Sequence, residues 1–245
     1  MEGITYDLGG MGVSGWSVAS LATAFHIPKA GLMMDIGWFS SEMIESTEFL
    51  FVSHLHPDHW SALVGFLFQR YLLRQPIKLI IPSMQAAEWN HLLTALVQSS
   101  GLDLPYRIIP LDPGYALSLS PGYDLTGYVM RHSRPTMGII IRYLGRPWLG
   151  YTSDTAWEGI LENPSFFEVP YLLTECTFME PENEPDAIQH YHIHLSQISR
   201  NFYRFHNRMI YLVHLDRSLG SDRIQQCLTH YISMDNGNRL RIWMT

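Results

Sequence analysis

A dense group of candidate metal ligands lies in one short segment, which contains His54, His56, Asp58 and His59. An apolar run at residues 49–52 precedes it and a helical spacing of apolar residues follows it, which predicts a junction between a buried strand and a helix. Side chains two residues apart on extended backbone project to the same side, so His54 and His56 face a common space. Asp58 and His59 face that space from the turn and the first helical turn.

This segment offers more ligands than one ion needs, because the geometry of each ligand constrains the others. Imidazole and carboxylate groups together suit zinc, and they also bind manganese or iron. Left without a metal, four polar groups beside a buried strand would have to find other partners. We therefore expect two metal ions, the first on His54 and His56 and the second on Asp58 and His59.

Three further candidate ligands, His132, Asp154 and His214, each follow an apolar run later in the chain. Strand ends are where an open sheet presents its active-site loops. Asp154 could instead cap a helix predicted at residues 155–161, although the two roles are compatible. His132 and His214 taken alone would be interpreted as core histidines, but their position at strand ends in a chain with such a cluster favours metal binding.

Length and composition indicate one globular domain over residues 1–245, since 47% of the residues are apolar and 16% are charged. No stretch approaches the roughly 18 uncharged apolar residues of a membrane span, so no membrane partner is expected. The first basic residue is Lys29, so the amino terminus lacks the positive region of a secretory signal, which predicts a cytoplasmic location.

A net charge of −7, without runs of Lys and Arg, does not favour binding to nucleic acid. Cys176 and Cys227 are expected to be free thiols.

The order of the predicted elements indicates an α/β fold. Apolar runs at residues 49–52, 79–81, 138–141, 171–173 and 209–213 predict buried strands. Helical spacing is found at residues 58–73, 85–97 and 218–231, and the first of these places Leu63, Val64, Leu67, Phe68 and Tyr71 on one stripe. Residues 115–151 read as consecutive strands, which suggests an antiparallel portion in a sandwich of sheets with helices outside.

The ordered set of candidate ligands resembles the metallo-β-lactamase superfamily, and within it the short ribonuclease Z branch, whose members are tRNA 3′-processing endonucleases. The superfamily pattern HxHxDH, then a distant His, Asp and His, is matched in order by His54, His56, Asp58, His59, His132, Asp154 and His214. The resemblance implies an αββα sandwich, a homodimer and two divalent ions, with zinc the first expectation. It also implies that one metal is bound by His54, His56 and His132. The other would be bound by Asp58, His59 and His214, with Asp154 bridging both.

Two segments, residues 172–178 and 191–196, resemble the HEAT and GH motifs of the ribonuclease Z branch. The resemblance implies that Glu175 orients His192, which protonates the leaving oxygen, with His194 as the second choice for that role. The alternative for Glu175 is a surface carboxylate at a strand end. Thr174 and Tyr191 replace the usual His and Gly of these motifs, and no Gly/Pro-rich insertion resembles the flexible arm that grips tRNA.

These residues predict metal-assisted hydrolysis, in which a bridging hydroxide attacks phosphorus or a carbonyl carbon. Asp58 would orient that hydroxide, and a general acid would serve a poor leaving group such as a ribose hydroxyl. A ribonuclease Z-like phosphodiesterase acting on RNA 3′ ends is the first expectation. The alternatives are an armless phosphodiesterase for small cyclic nucleotides, a metal-dependent esterase or thioesterase, and a binding protein without catalysis.

Overall fold

The computed structural model describes residues 3–232 and 238–243, which form two seven-stranded sheets with helices on their outer faces. The first sheet pairs its strands in chain order: β1 (Ile4–Asp7), β2 (Gly12–Val18), β3 (Ala22–Ile27), β4 (Leu32–Met34), β5 (Phe49–Phe51), β6 (Ile77–Pro82) and β7 (Tyr106–Leu111). Strands β1 to β4 are antiparallel, and β4 to β7 are parallel. The parallel half therefore brings the carboxyl ends of its strands to one edge.

The second sheet has the same division into an antiparallel and a parallel half. Its strands are β8 (Ala116–Ser118), β9 (Tyr123–Met130), β10 (Thr136–Tyr143), β11 (Arg146–Tyr151), β12 (Tyr171–Glu175), β13 (Met209–Val213) and β14 (Leu240–Ile242). Strands β8 to β11 are antiparallel, whereas β11 to β14 are parallel. The antiparallel run predicted from the spacing of residues 115–151 is thus confirmed.

The helices occupy the crossovers and outer layers. They are α1 (Ser41–Ser46), α2 (Pro57–Trp60), α3 (Leu63–Leu72), α4 (Ala86–Ser100), α5 (Trp157–Glu162), α6 (Glu184–Gln189), α7 (Leu195–Arg200) and α8 (Ser221–Tyr231). Short 3₁₀ helices lie at Pro28–Ala30, Ser83–Gln85, Pro164–Phe167, Pro181–Asn183 and Phe202–Arg204. No helix in the described residues is long and apolar enough to cross a membrane.

Strands that are buried on both faces explain the continuous apolar runs in the sequence. In β5, Phe49 and Phe51 enter the core between the sheets, whereas Leu50 packs in the outer cluster that contains residues of α3 and α4. In β10, Ile139 and Ile140 divide in the same way between the central core and the outer cluster of the second sheet. Because alternate side chains point to opposite faces, each strand joins two apolar layers. The αββα sandwich expected from the resemblance is confirmed.

The helix expected over residues 58–73 is interrupted, which corrects the sequence-based interpretation. The amide of Ala62 donates to the Ile36 carbonyl at 3.0 Å instead of to the carbonyl of residue 58. This long-range bond breaks the helical ladder and separates α2 from α3. The apolar stripe is also divided: Leu63 and Leu67 are buried, but Val64, Phe68 and Tyr71 are exposed.

The five predicted apolar strands are all present, and the predicted helices at residues 85–97 and 218–231 correspond to α4 and α8. Both cysteines, Cys176 and Cys227, are buried free thiols as expected. The sequence patterns therefore located the elements well, and their errors concern where helices end and which face they bury.

Candidate metal centre and active site

The candidate ligands come from both sheets and converge at one edge of the sandwich. His54 follows β5, and Pro57 begins α2 immediately after His56. His132, Asp154 and His214 follow β9, β11 and β13 of the second sheet. Ligand atoms of His54, His56, His132 and Asp154 lie within 4.8 Å of one another, as do those of Asp58, His59 and His214. The structure thus brings together all seven ligand candidates in two adjoining groups.

Unsatisfied polar atoms at the centre of this cluster fit a divalent cation. Nε2 of His54, Nε2 of His59 and Oδ1 of Asp154 are buried without a hydrogen-bond partner among the described residues. Leaving such atoms without a partner costs free energy in a protein interior. Cations held between imidazole nitrogens and carboxylate oxygens would satisfy all three, and this donor set suits zinc, manganese or iron.

Hydrogen bonds behind two of the ligands direct their free nitrogens into the cluster. His59 Nδ1 lies 2.7 Å from Asp35 Oδ2, and His54 Nδ1 lies 3.0 Å from Ser53 Oγ. Ser53 Oγ itself donates to Asp35 at 3.0 Å, so it accepts the proton of His54. Each imidazole therefore carries its proton on Nδ1 and presents the Nε2 lone pair to a metal.

Two further ligands are oriented in the same way from the second sheet. His132 donates from Nδ1 to the carbonyl of Tyr191 at 3.1 Å. His214 donates from Nδ1 to Thr177 Oγ1 at 3.0 Å. Nε2 of His132 then lies 3.1 Å from Nδ1 of His56. Hydrogen bonds therefore fix the orientation of four candidate ligand rings, those of His54, His59, His132 and His214.

Asp35 is a residue of the site that the sequence reasoning missed. It is fully buried after β4, with a backbone φ of +58°, and it accepts from the amide of Ser53 at 2.7 Å and from the hydroxyl of Tyr151. The available signal was a carboxylate directly after the apolar residues 32–34, because that strand pairs with β5. Asp35 positions His59 and, through Ser53, His54.

Burial and neighbouring charges keep most of the ligands in their metal-binding forms. Burial, with help from nearby imidazoles, lowers the pKa of His54 well below its usual value and that of His56 to about 4. Burial opposes ionisation of Asp154, but His214 and His59 outweigh it and hold its pKa well below the usual range. Burial likewise opposes ionisation of Asp58, but a hydrogen bond from His214 and the charge of His59 lower its pKa to about 2. Neutral imidazoles and ionised carboxylates are the forms that coordinate metal.

His59 differs because carboxylates lie on both sides of it. Burial lowers its pKa, but Asp154 and Asp35 outweigh this effect and raise the pKa well above the usual value. Its Nε2 lies 3.3 Å from Asp154 Oδ1. A cation between these two atoms would offset the negative charge of Asp154, so the geometry fits a cation site.

Glu175 and His192 form a hydrogen-bonded pair beside the cluster, in which Glu175 is fully buried and His192 is partly exposed, so Glu175 is not a surface carboxylate. Oε1 of Glu175 accepts from His192 Nδ1 at 2.9 Å and from the Thr155 amide at 2.6 Å. Its Oε2 accepts from the Thr177 hydroxyl at 2.9 Å and from the Ile193 amide at 3.1 Å. Burial opposes protonation of His192, but the charge and hydrogen bond of Glu175 outweigh it and raise the pKa to about 9.

His194 does not reach the site, and we withdraw it as the second choice for the general acid. It is fully buried at the N-cap of α7, where its Nδ1 accepts from the Ser196 amide at 3.1 Å. Its Nε2 donates to the Glu180 carbonyl at 2.8 Å. Both nitrogens are occupied by structural bonds, so the ring caps a helix.

A cavity of about 630 Å³ opens over the cluster of candidate metal ligands. His56, His132, His192 and His214 form part of its wall. The remaining lining residues are small, polar or aromatic, except for two charged ones: Ala19, Ser20, Ser133, Thr177, Phe178, Gln189, His190, Tyr191, Asp216 and Arg217. Arg217 is the single permanent positive charge among these residues. Such a cavity has room for a nucleotide-sized molecule.

Comparison with known proteins identifies a family and related folds. The family model described as Anti-Pycsar protein Apyc1 matches residues 31–235. Over 256 residues the chain is 23% identical to tRNase Z TRZ2, chloroplastic, from Arabidopsis thaliana, covering 91% of this chain and 72% of the relative. It is 22% identical over 239 residues to tRNase Z TRZ1 from the same organism, covering 84% and 85%.

Solved structures show the same fold at low sequence identity. The metallo-β-lactamase fold protein YhfI from Bacillus subtilis superposes with a TM-score of 0.73 at 15% identity, covering 96% of both chains. The short form of human tRNase Z superposes with a TM-score of 0.70 at 18% identity, covering 84% of this chain and 93% of that one.

Proposed function

The chain belongs to the Anti-Pycsar protein Apyc1 family, and from this premise we propose that it is a two-metal phosphodiesterase for small nucleotides. It is a metal-dependent hydrolase of the metallo-β-lactamase fold, in the ribonuclease Z-like branch. The observation that carries the proposal is the hydrogen-bonded pair of buried Glu175 and partly exposed His192 at the edge of the candidate metal centre. A general acid at this place is needed when the leaving group is a poor one, as in a phosphodiester.

The candidate ligands divide into two sets, one for each proposed metal ion. We assign His54, His56 and His132 to one metal, Asp58, His59 and His214 to the other, and Asp154 to both. When bound, the metals supply a water of lowered pKa and neutralise charge that develops on the phosphate.

The chain's own groups orient the nucleophile and protonate the leaving group. Asp58 Oδ2 accepts from the Ser20 amide at 2.9 Å and lies 3.1 Å from His214 Nε2, so its carboxylate is held at the candidate metal centre, where it would orient the attacking water. His192 keeps Nδ1 on Glu175 and turns Nε2 toward the cavity. From there its proton passes to the departing oxygen, and Glu175 stabilises the charged ring until the transfer is complete.

The shape and charge of the site favour a small nucleotide over a long RNA. The cavity is lined by one permanent positive charge, Arg217, and the chain carries a net charge of −7. Binding an RNA backbone depends on several basic contacts. Strands β10 and β11 are joined directly by a tight turn at Leu144 and Gly145, which leaves no room there for an arm. A nucleoside cyclic monophosphate fits these conditions.

An RNA 3′ end is the second candidate substrate, because the matched Arabidopsis thaliana relatives are named tRNase Z. Both substrates present a phosphodiester with a ribose leaving group, so the catalytic residues alone do not separate them. Discrimination between a cyclic nucleotide and an RNA 3′ end therefore depends on the residues that line the cavity and on the charge around it.

The test is a metal analysis of the purified protein followed by parallel assays. Nucleoside cyclic monophosphates and a 3′-extended tRNA would be offered to the wild type and to His56→Ala. We expect two metal ions per chain and hydrolysis of the cyclic nucleotides by the wild type alone. Cleavage of tRNA without cyclic nucleotide turnover would replace the first candidate by the second, and a metal-free active protein would refute both.

We also propose that the chain forms a homodimer through the exposed face of α3. Val64, Phe68, Tyr71 and Leu72 lie at helical spacing on that face, and each is between 39% and 58% exposed. The opposite face is buried, so α3 is apolar on both sides. A second copy would cover this face in a two-fold symmetric contact.

Light scattering coupled to size-exclusion chromatography tests the dimer. Phe68→Glu should give a monomer, whereas the control Leu161→Glu, an exposed apolar site on α5, should leave the dimer intact. A wild-type monomer at micromolar concentration would refute this proposal and leave the proposed chemistry untouched.

A further inference from the structure

Tyr191 has a backbone conformation that its side chain disfavours. Its φ is +60°, in the left-handed region where a residue with a bulky side chain is an outlier. The conformation directs its carbonyl to Nδ1 of the ligand His132 at 3.1 Å, and the next residue is His192. The backbone at Tyr191 therefore orients the candidate ligand His132 and leads directly into the candidate general acid His192.

That backbone role does not account for the tyrosine side chain. Glycine would present the same carbonyl and adopt this φ without strain. Six other non-glycine residues in the described part of the chain have positive φ, and none of them is a Phe, Tyr or Trp. Strained backbone conformations of this kind cluster at active sites and ligand-binding segments, where the surrounding structure holds them in place.

Tyr191 belongs to the cavity wall, and its side chain has no hydrogen-bond or ring partner in the part of the chain that the structure describes. Tyr191 lines the cavity and is 49% exposed. Within residues 3–232 and 238–243, its hydroxyl makes no hydrogen bond and its ring packs on no other ring. The exposed aromatic ring is thus carried by a residue whose carbonyl contacts His132 and whose chain neighbour is His192.

We infer that the base of the bound nucleotide stacks on the Tyr191 ring, an inference that rests on the proposed function. The flat face of a nucleobase is apolar. When the base stacks on an aromatic side chain, the face of the base and the face of the ring are both removed from water. With the phosphate at the metal cluster, the base of the same nucleotide comes to the cavity wall that Tyr191 lines.

Stacking also defines the class of substrate. Because every base has an aromatic face, both purine and pyrimidine nucleotides would bind, and a base already paired in a duplex would not. The substrate is then a small phosphodiester with an unpaired base, and the same phosphate on a bare sugar binds more weakly.

The inference is tested by equilibrium binding to the zinc-loaded protein, with cytidine 5′-monophosphate and ribose 5-phosphate as probes. Tyr191→Gly keeps the carbonyl for His132 and removes the ring, so the nucleotide should bind about tenfold more weakly and ribose phosphate equally well. Tyr191→Phe should retain wild-type affinity for both. Leu144→Gly is the matched control, because Leu144 has a φ of +48° in the hairpin at the far end of β10.

Three results would overturn the inference. The wild type could bind both probes equally, Tyr191→Gly could weaken both by the same factor through His132, or it could weaken neither. Turnover of cyclic nucleotides by the wild type is measured separately. Base-dependent binding that is lost in Tyr191→Gly, without any turnover, would support the stacking site and refute the proposed function.

Discussion

The hydroxyl of Thr177 lies 3.0 Å from Nδ1 of His214, and it donates at 2.9 Å to Oε2 of Glu175. One side chain thus links a candidate metal ligand to the carboxylate that orients the candidate general acid. A hydroxyl can accept from the imidazole and donate to the carboxylate at the same time. The proposed metal binding and the proposed acid catalysis would therefore depend on one shared group.

Thr177→Val should weaken metal binding, because His214 loses the acceptor that holds its ring. Loss of such a supporting bond costs roughly tenfold or more in metal affinity. Competition with a chromophoric chelator measures the change. The control is Thr229→Val, since Thr229 Oγ1 donates to the Gln225 carbonyl within α8. Unchanged affinity in Thr177→Val would show that His214 needs no support from Thr177.

His192→Ala should reduce hydrolysis of a nucleoside cyclic monophosphate by roughly 100-fold or more, the scale of general acid catalysis. Hydrolysis of bis-(p-nitrophenyl) phosphate should fall much less, because nitrophenolate leaves without a proton. His190→Ala is the control, since His190 also lines the cavity but makes no described contact with Glu175. Equal losses on both substrates would remove His192 from the proton transfer.

The pH profile should carry the signature of the same pair. Protonated His192 is the active form, and Glu175 raises its pKa to about 9, so activity on cyclic nucleotides should fall as the pH rises through the folded pKa. Bound cations lower the pKa of His192 and so move this fall in activity, the alkaline limb of the pH profile, to lower pH. Glu175→Gln removes a negative charge, lowers the pKa and shifts the limb further toward acid. A limb at the same pH in both proteins would contradict the assignment.

Removing the metals should destabilise the fold. A ligand at 100 times its Kd contributes about 2.7 kcal/mol to the folded state. For a chain of this size that corresponds to a fall of about 5–10 °C in Tm on adding a chelator. The loss should be smaller in His56→Ala and unchanged in His91→Ala, which alters an exposed residue of α4. An identical Tm with and without chelator would refute a metal bound to the folded state.

Local sequence order was sufficient to predict the fold and most of the residues that the structure brings together at the candidate site. His54, His56, Asp58 and His59 share one junction, and doubly buried strands such as β5 are continuous apolar runs. What the sequence could not predict depends on contacts between distant residues. Asp35 acts on His59 across 24 positions of chain, and Ile36 interrupts a helix by capturing the amide of Ala62.

The roles of similar neighbours were equally hidden from the sequence. His192 and His194 are two residues apart and would face the same side of an extended chain. In the structure the chain turns at Tyr191 and enters α7, so one ring faces Glu175 and the other caps the helix. Only the fold separates a catalytic candidate from a structural histidine.

The division of the ligands between the two sheets has a consequence for assembly. The ligands before residue 60 follow β5, and those after residue 130 follow strands of the other sheet. Each sheet supplies only part of the set of candidate ligands. Metals bound to this set would join the two sheets, and separating the sheets would break the set apart.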